Sequence, residues 1–153
     1  MSTEAIGFTV YGKSETKGST SSFMSNRTGK IVTKNDNPNA SGWANRIGIE
    51  ANIAMRGRLL LTGPVVLGIR FYLQSPKKPK NTHHITKPDL DKLLRCAKDA
   101  LTGIVWHDDA QVSLMHRPGK FYAGGRFDPE GPTGKIRAEI IVRTATDDDG
   151  AER

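Results

Sequence analysis

The chain reads as an α+β domain in which a mixed β-sheet is covered by two main helices and strand ends carry carboxylates. Three observations predict this. β-branched and aromatic runs of strand length occupy 5–11, 64–73 and 135–143, helical periodicity fills 41–57 and the segment after Pro88, and Gly-, Pro- and Lys-rich stretches separate them. A length of 153 residues suits one domain that buries roughly two thirds of its unfolded surface. We expect that domain to span 1–146, with a basic, partly mobile arm at 12–40 and an acidic, disordered tail at 147–153.

Ala5 to Tyr11 (AIGFTVY) is short, β-branched and aromatic, and stops at Gly12 as an opening strand does. The arm after it is rich in Gly, Ser, Thr and Asn, and within it only IVT at 31–33 resembles a strand. From Ser41 onward, Trp43, Ile47, Ala51 and the Ile53–Ala54 pair recur at helical spacing until Gly57 supplies a stop. Pro64 to Leu73 alternates as a core strand, and the lysine-rich loop Gln74 to Lys87 then delivers the chain to Pro88 and Asp89. In the next helix, Leu90, Leu93, Leu94, Ala97 and Leu101 form one apolar stripe, with Asp91 at its border and Arg95 further round. Gly103 ends that helix, a strand runs from Gln111 through Met115, 118–134 reads as a hairpin connection, and 135–143 (KIRAEIIVR) alternates as the last strand.

Lys and Arg total 23 against 16 Asp and Glu, a net charge of +7 that suits a polyanion such as nucleic acid as well as plain solubility. The candidate phosphate contacts are Lys13, Lys17, Arg27, Lys30 and Lys34 in the arm and Lys77, Lys78, Lys80 and Lys87 in the loop. Cys96 is the only cysteine, which excludes a disulfide framework and a Cys-rich zinc site and fits a reducing cytoplasm. No run approaches the roughly 18 apolar residues of a membrane span, and MSTEAIGFTVYGK lacks the regions of a secretory leader. We therefore expect a cytoplasmic protein with no membrane partner.

Against this basic background, residues 87–112 (KPDLDKLLRCAKDALTGIVWHDDAQV) concentrate acid: Asp89, Asp91, Asp108 and Asp109. Carboxylates are the preferred ligands of hard cations such as Mg²⁺ and Mn²⁺, which keep positions open for phosphate oxygens. Each pair also has a plainer reading. Asp89 and Asp91 suit the first turn of a helix as cap and dipole partner, and a D-x-D also occurs in metal-dependent glycosyltransferases. The second pair tips the balance, because adjacent carboxylates at a strand start repel unless a cation offsets them.

Taken together, KPDLD-x5-AKDAL-x5-HDDAQV resembles the signature of the RusA family of Holliday junction resolvases, and the order of strands, basic arm and lysine loop matches that family along nearly the whole chain. The resemblance implies a RusA-like fold and a Mg²⁺-dependent homodimer, with Mn²⁺ as a substitute, that nicks four-way DNA junctions symmetrically in recombination and repair. It assigns Asp89, Asp91 and Asp109 as metal ligands, places Asp108 beside them, and puts Arg95 where the family has a catalytic lysine. An arginine keeps the charge but cannot exchange a proton near neutral pH. The common Asn after the second Asp is Lys92 here. A bacterial host, with a bacterial or phage-encoded gene, fits the resemblance.

Other residues carry less. Adjacent His83 and His84 make a poor metal pair, His107 and His116 read as solvent-facing, and Trp43 and Trp106 as core or dimer contacts. Phe23, apolar in a polar arm, is the candidate wedge at a junction centre. A catalytically weak junction-binding protein is the alternative function. A D-x-D glycosyltransferase is disfavoured by the short chain and by the unexplained second Asp pair.

Overall fold

The computed structural model describes residues 4–16, 20–35 and 38–151, with only the backbone of 20–23 and 32–35. Lys17 lies outside the described residues, as do the side chains of Phe23 and Lys34. Six strands and two helices succeed one another as β1 (Ile6–Tyr11), β2 (Thr20–Met24), β3 (Ile31–Asn35), α1 (Ala40–Met55), β4 (Val65–Leu73), α2 (Leu90–Leu101), β5 (Val112–Tyr122) and β6 (Arg137–Thr144). The fold is α+β with a four-stranded mixed sheet of order β1-β6-β4-β5, as the sequence predicts. The arm is more regular than expected. Besides the anticipated strand at 31–33, it forms an antiparallel β2–β3 ribbon whose turn presents exposed Arg27 and Lys30.

The helices cover one face of the sheet. On α1, Ala40, Trp43, Ile47, Ala51 and Met55 are buried, a spacing that keeps them on one side, while Ile53 is exposed. On α2 the buried residues are Leu93, Cys96, Ala97 and Leu101, with Leu90 and Leu94 partly covered at the rim of the stripe. They pack on Val65, Leu67, Ile69, Phe71 and Leu73 of β4, the residues of alternate parity, together with Ala138, Ile140 and Val142 of β6. Trp43 and Trp106 are both in this core. The opposite face, around Gly7, Thr9, Gly68, Arg70 and Ile141, has no helix on it among the described residues, and Ile141 is 48% exposed.

Strand β5 runs parallel to β4 and is longer than its sequence suggests. Pro118 would end most strands. Here β5 is an edge, and its register skips Arg117 and Pro118 between the His116 and Gly119 pairings, with Arg117 at φ +49, so the ladder resumes and continues to Tyr122. The stretch 118–134 is accordingly not a hairpin connection: β6 pairs with the other side of β4, so residues 123–136 cross the end of that strand.

Two arginines tie down the chain beyond β5. Arg137, fully buried, donates to both oxygens of Asp128 at 2.7 and 3.0 Å and lies 4.0 Å over the Tyr72 ring. At the C-terminal end, Arg143 holds Asp149 at 2.6 and 2.8 Å, and Asp149 also accepts from the Thr146 amide. The acidic segment expected to be disordered is thus folded back onto β6 over its described residues, because one of its carboxylates has a guanidinium partner.

Candidate active site

The acidic motif is divided between the two ends of α2. Asp89 stands at the N-cap position with extended backbone, yet its carboxylate makes no capping hydrogen bond; it lies 3.8 Å from the Lys92 ammonium, with both side chains half exposed. Such an exposed pair is weak and leaves the carboxylate accessible. Asp91 is next in the first turn, exposed, and Arg95 is exposed one turn further along. Among the described residues neither Asp91 nor Arg95 has an ion-pair partner.

This end of the helix is held in place from β5. The Lys120 ammonium donates to the carbonyls of Thr86 and Pro88 at 2.7 and 3.0 Å, fixing the chain immediately before Asp89. His84, buried beside it, packs against Tyr122 with 5.2 Å between ring centroids and 54° between the ring planes. Burial, and secondarily the Lys120 charge, pushes the His84 pKa down, so it stays neutral among the lysines.

At the other end the Asp108–Asp109 pair divides its labour. Asp108 caps the short 3₁₀ turn Asp109–Gln111: its carboxylate accepts from the Ala110 amide at 2.9 Å, and the Gln111 carboxamide oxygen accepts from the amides of His107 and Asp108, both at 2.9 Å. The Gln111 amide nitrogen reaches across to the carbonyls of Leu61 and Gly63 at 3.0 Å. Asp108 is therefore engaged structurally, while Asp109 is half buried and, among the described residues, has no cation.

A single chain does not assemble Asp89, Asp91 and Asp109. Among the described residues no three His, Cys, Asp or Glu side chains lie close enough to hold a metal ion. The reason is topological. Lys120 anchors the Asp89 end of α2 to the last residues of β5, whereas Asp109 precedes its first, and those ends are about 20–25 Å apart at strand rise. Asp89 and Asp91 fit an oxygen-preferring cation as an accessible donor pair; the third ligand is not supplied from the same end.

The basic candidates lie in the loop that leads to Asp89, on the ribbon and after β1. Lys77, Lys78, Lys80 and Lys87 are exposed, as are Arg27 and Lys30; Lys13 is exposed with the Glu15 carboxylate at 3.9 Å. His83, His107 and His116 are exposed, and none belongs to a metal-binding group among the described residues. Sequence reasoning missed Gln111, Lys120 and the Asp128–Arg137 pair. Gln111 was readable in principle, since D-x-x-Q before a strand has the spacing of a capping box; no local signal links Lys120 or Arg137 to partners far along the chain.

Exposed carboxylates on a body of net charge +7 are compatible with chemistry on a polyanion. The family model "Endodeoxyribonuclease RusA" matches residues 16–126, and the chain belongs to that family. It is also 29% identical over 152 residues to "Uncharacterized protein YqaN" of Bacillus subtilis (strain 168), covering 92% of this chain and 96% of the relative. Among the described residues no helix is long and apolar enough to cross a membrane.

Proposed function

We propose that the protein is a divalent-metal-dependent endonuclease that resolves four-way DNA junctions by paired nicks, acting as a homodimer in the bacterial cytoplasm. The observation that carries this reading is the set of accessible carboxylates Asp89, Asp91 and Asp109, two of them without a cation among the described residues, inside the family match of a chain with net charge +7. These carboxylates would hold Mg²⁺, with Mn²⁺ as substitute, which would supply an activated water and offset charge on phosphate oxygens.

The homodimer accounts for the separation of the ligands. A two-fold axis crossing α2 and β5 near their middles would bring the Asp109 end of one protomer beside the Asp89 and Asp91 end of its partner, forming two sites. Four-way junctions share that symmetry. Arg95, one turn beyond Asp91, would bind a non-bridging phosphate oxygen and stabilise charge as the bond breaks, without exchanging protons. Gln111 would hold the Asp109 turn in register, and the Lys77–Lys87 loop with the β2–β3 ribbon would track backbone phosphates.

The second reading is a junction-binding protein with weak catalysis, favoured by Arg95 at the lysine position. Incubation of a labelled four-way junction and a linear duplex with Mg²⁺ or EDTA separates the two. Paired nicks in the junction alone, abolished by EDTA and by Asp91→Asn with binding retained, support the nuclease. Junction binding without nicks under either metal supports the second reading, and equal binding to junction and duplex refutes both.

A further inference from the structure

Residues 123–136 form an anchored connection with a partly exposed aromatic at its tip. Asp128 nucleates it: besides both Arg137 bonds, its carboxylate accepts from the amides of Gly124 at 2.8 Å and Glu130 at 2.9 Å. Gly134 has to lack a side chain, because a Cβ there would run into the Asp128 carboxylate. The connection thus has a polar anchor at Asp128.

The tip is Arg126–Phe127. Phe127 remains 38% exposed, although it joins a row of rings: its centroid is 5.0 Å from His83 and 6.3 Å from Phe121, which in turn lies 5.7 Å from buried Tyr72. Cations sit along this row, with the Arg126 guanidinium 5.8 Å from the Phe127 ring and that of Arg70 4.2 Å from Phe121. His83 belongs to the same loop as exposed Lys77, Lys78, Lys80 and Lys87, and that loop leads straight into Asp89. The Phe127 ring is thus partly covered by two neighbouring rings and partly open to solvent, with a guanidinium near it.

We propose that Phe127, backed by His83 and flanked by Arg126, is a stacking site for a base freed from pairing at a DNA branch point. This rests on the nucleic-acid reading above and adds to it the residue that distinguishes branched from linear DNA. Every base has a π-face, so stacking on Phe127 is tolerant of sequence, while the neighbouring lysines hold the flanking phosphates. Intact duplex offers no free base and gains nothing from the ring. The family match stops at Arg126, one residue before Phe127. The rigid anchor matters because a preformed platform loses little entropy on binding.

The test uses the full-length chain in EDTA, so that no strand is cut, with four-way junctions carrying 2-aminopurine either at the branch point or in the middle of an arm. We expect native protein to change emission about twofold or more at the branch point and not in the arm. Phe127→Ala should abolish that change and weaken junction binding about tenfold, leaving linear duplex binding and thermal stability close to native, whereas Phe127→Trp should retain both signals. If the alanine variant folds poorly, Phe127→Leu preserves apolar bulk without a ring and should show the same selective loss. Unchanged junction binding in the alanine or leucine variant overturns the inference, as does an equal loss on junction and duplex. Native protein that cuts junctions while Phe127→Ala behaves identically overturns this inference alone; native protein without junction preference overturns the functional reading with it.

Discussion

Asp128 and Asp109 flank β5 in sequence and sit in opposite environments. Asp128 is sealed, its side chain wholly inaccessible, and matched by the buried Arg137 guanidinium at 2.7 Å. Asp109 is half exposed on a turn that Asp108 and Gln111 secure for it, and has no cation among the described residues. The difference separates two uses of acid in a basic chain. A carboxylate that organises the fold is buried and neutralised by a bidentate guanidinium, because an unpaired buried charge is costly. A carboxylate that is to meet a soluble cation, as proposed for Asp109, has to stay accessible, and here Asp108 and Gln111 hold its turn.

The sharpest way to break this comparison is to neutralise one carboxylate of each kind. Asp91→Asn should lower junction cleavage by about a thousandfold or more while leaving the melting temperature close to native, as expected when a metal ligand is lost. Mixing Asp91→Asn with Asp109→Asn protein sharpens the result. Each variant alone should be inactive, but exchange into heterodimers regenerates one intact site if the ligands come from two protomers, and none if they come from one. Recovery of single-strand nicking by the mixture is the expected outcome; a mixture as inactive as its components would refute the shared site.

The structural carboxylate should respond in the opposite sense. Replacing Arg137 by Met leaves Asp128 buried without its partner, which costs about 3–5 kcal/mol and should lower the melting temperature by about 10 °C, measured by calorimetry. A pH titration gives a second measure. The Arg137 hydrogen bonds hold Asp128 down from 3.8 to about 2. With the folded value below the unfolded one, its contribution is complete above about pH 4 and is lost as the pH falls through about 2, a change on the order of 2 kcal/mol. Asp128→Asn should flatten that acid limb; an unchanged limb would mean that Asp128 does not govern it.

Periodicity and charge made most of the fold legible. The α1 and α2 stripes and strands β1, β4 and β6 are local patterns, because one face of each meets the same core. Pro118 hid the second half of β5, since a bulge on an edge strand turns what reads as a stop into an interruption. The site was legible as a set of residue types but not as an arrangement. D-x-D and D-D are close in sequence, yet a twelve-residue helix, about 18 Å long, keeps them apart in one chain, and only topology reveals that. The same holds for Phe127, whose neighbours His83 and Phe121 come from separate segments.

Gln111 offers a moderate effect between these extremes. It touches no candidate ligand, yet four hydrogen bonds through one carboxamide connect the Asp109 turn to the chain at Leu61 and Gly63. Gln111→Ala should cost about 1–2 kcal/mol and lower cleavage about tenfold. Because the effect is one of position, junction affinity in EDTA should not change. A variant that loses binding in proportion to cleavage would show that Gln111 supports the DNA surface instead of Asp109.

The smallest change tests whether charge alone is needed beside the carboxylates. Arg95 shares the exposed border of α2 with Asp91. If it acts only by binding a phosphate oxygen, Arg95→Lys keeps the charge and should leave cleavage within about threefold of native, while Arg95→Ala should reduce it about tenfold. Cleavage measured from pH 6 to 9 tells electrostatic help from proton transfer, because the lysine variant acquires a group that can titrate and the arginine does not. Parallel pH profiles for the native and lysine proteins are the expected result. A lysine variant that gains rate and bends its profile near neutral pH would show that the reaction can use a proton donor that arginine cannot supply.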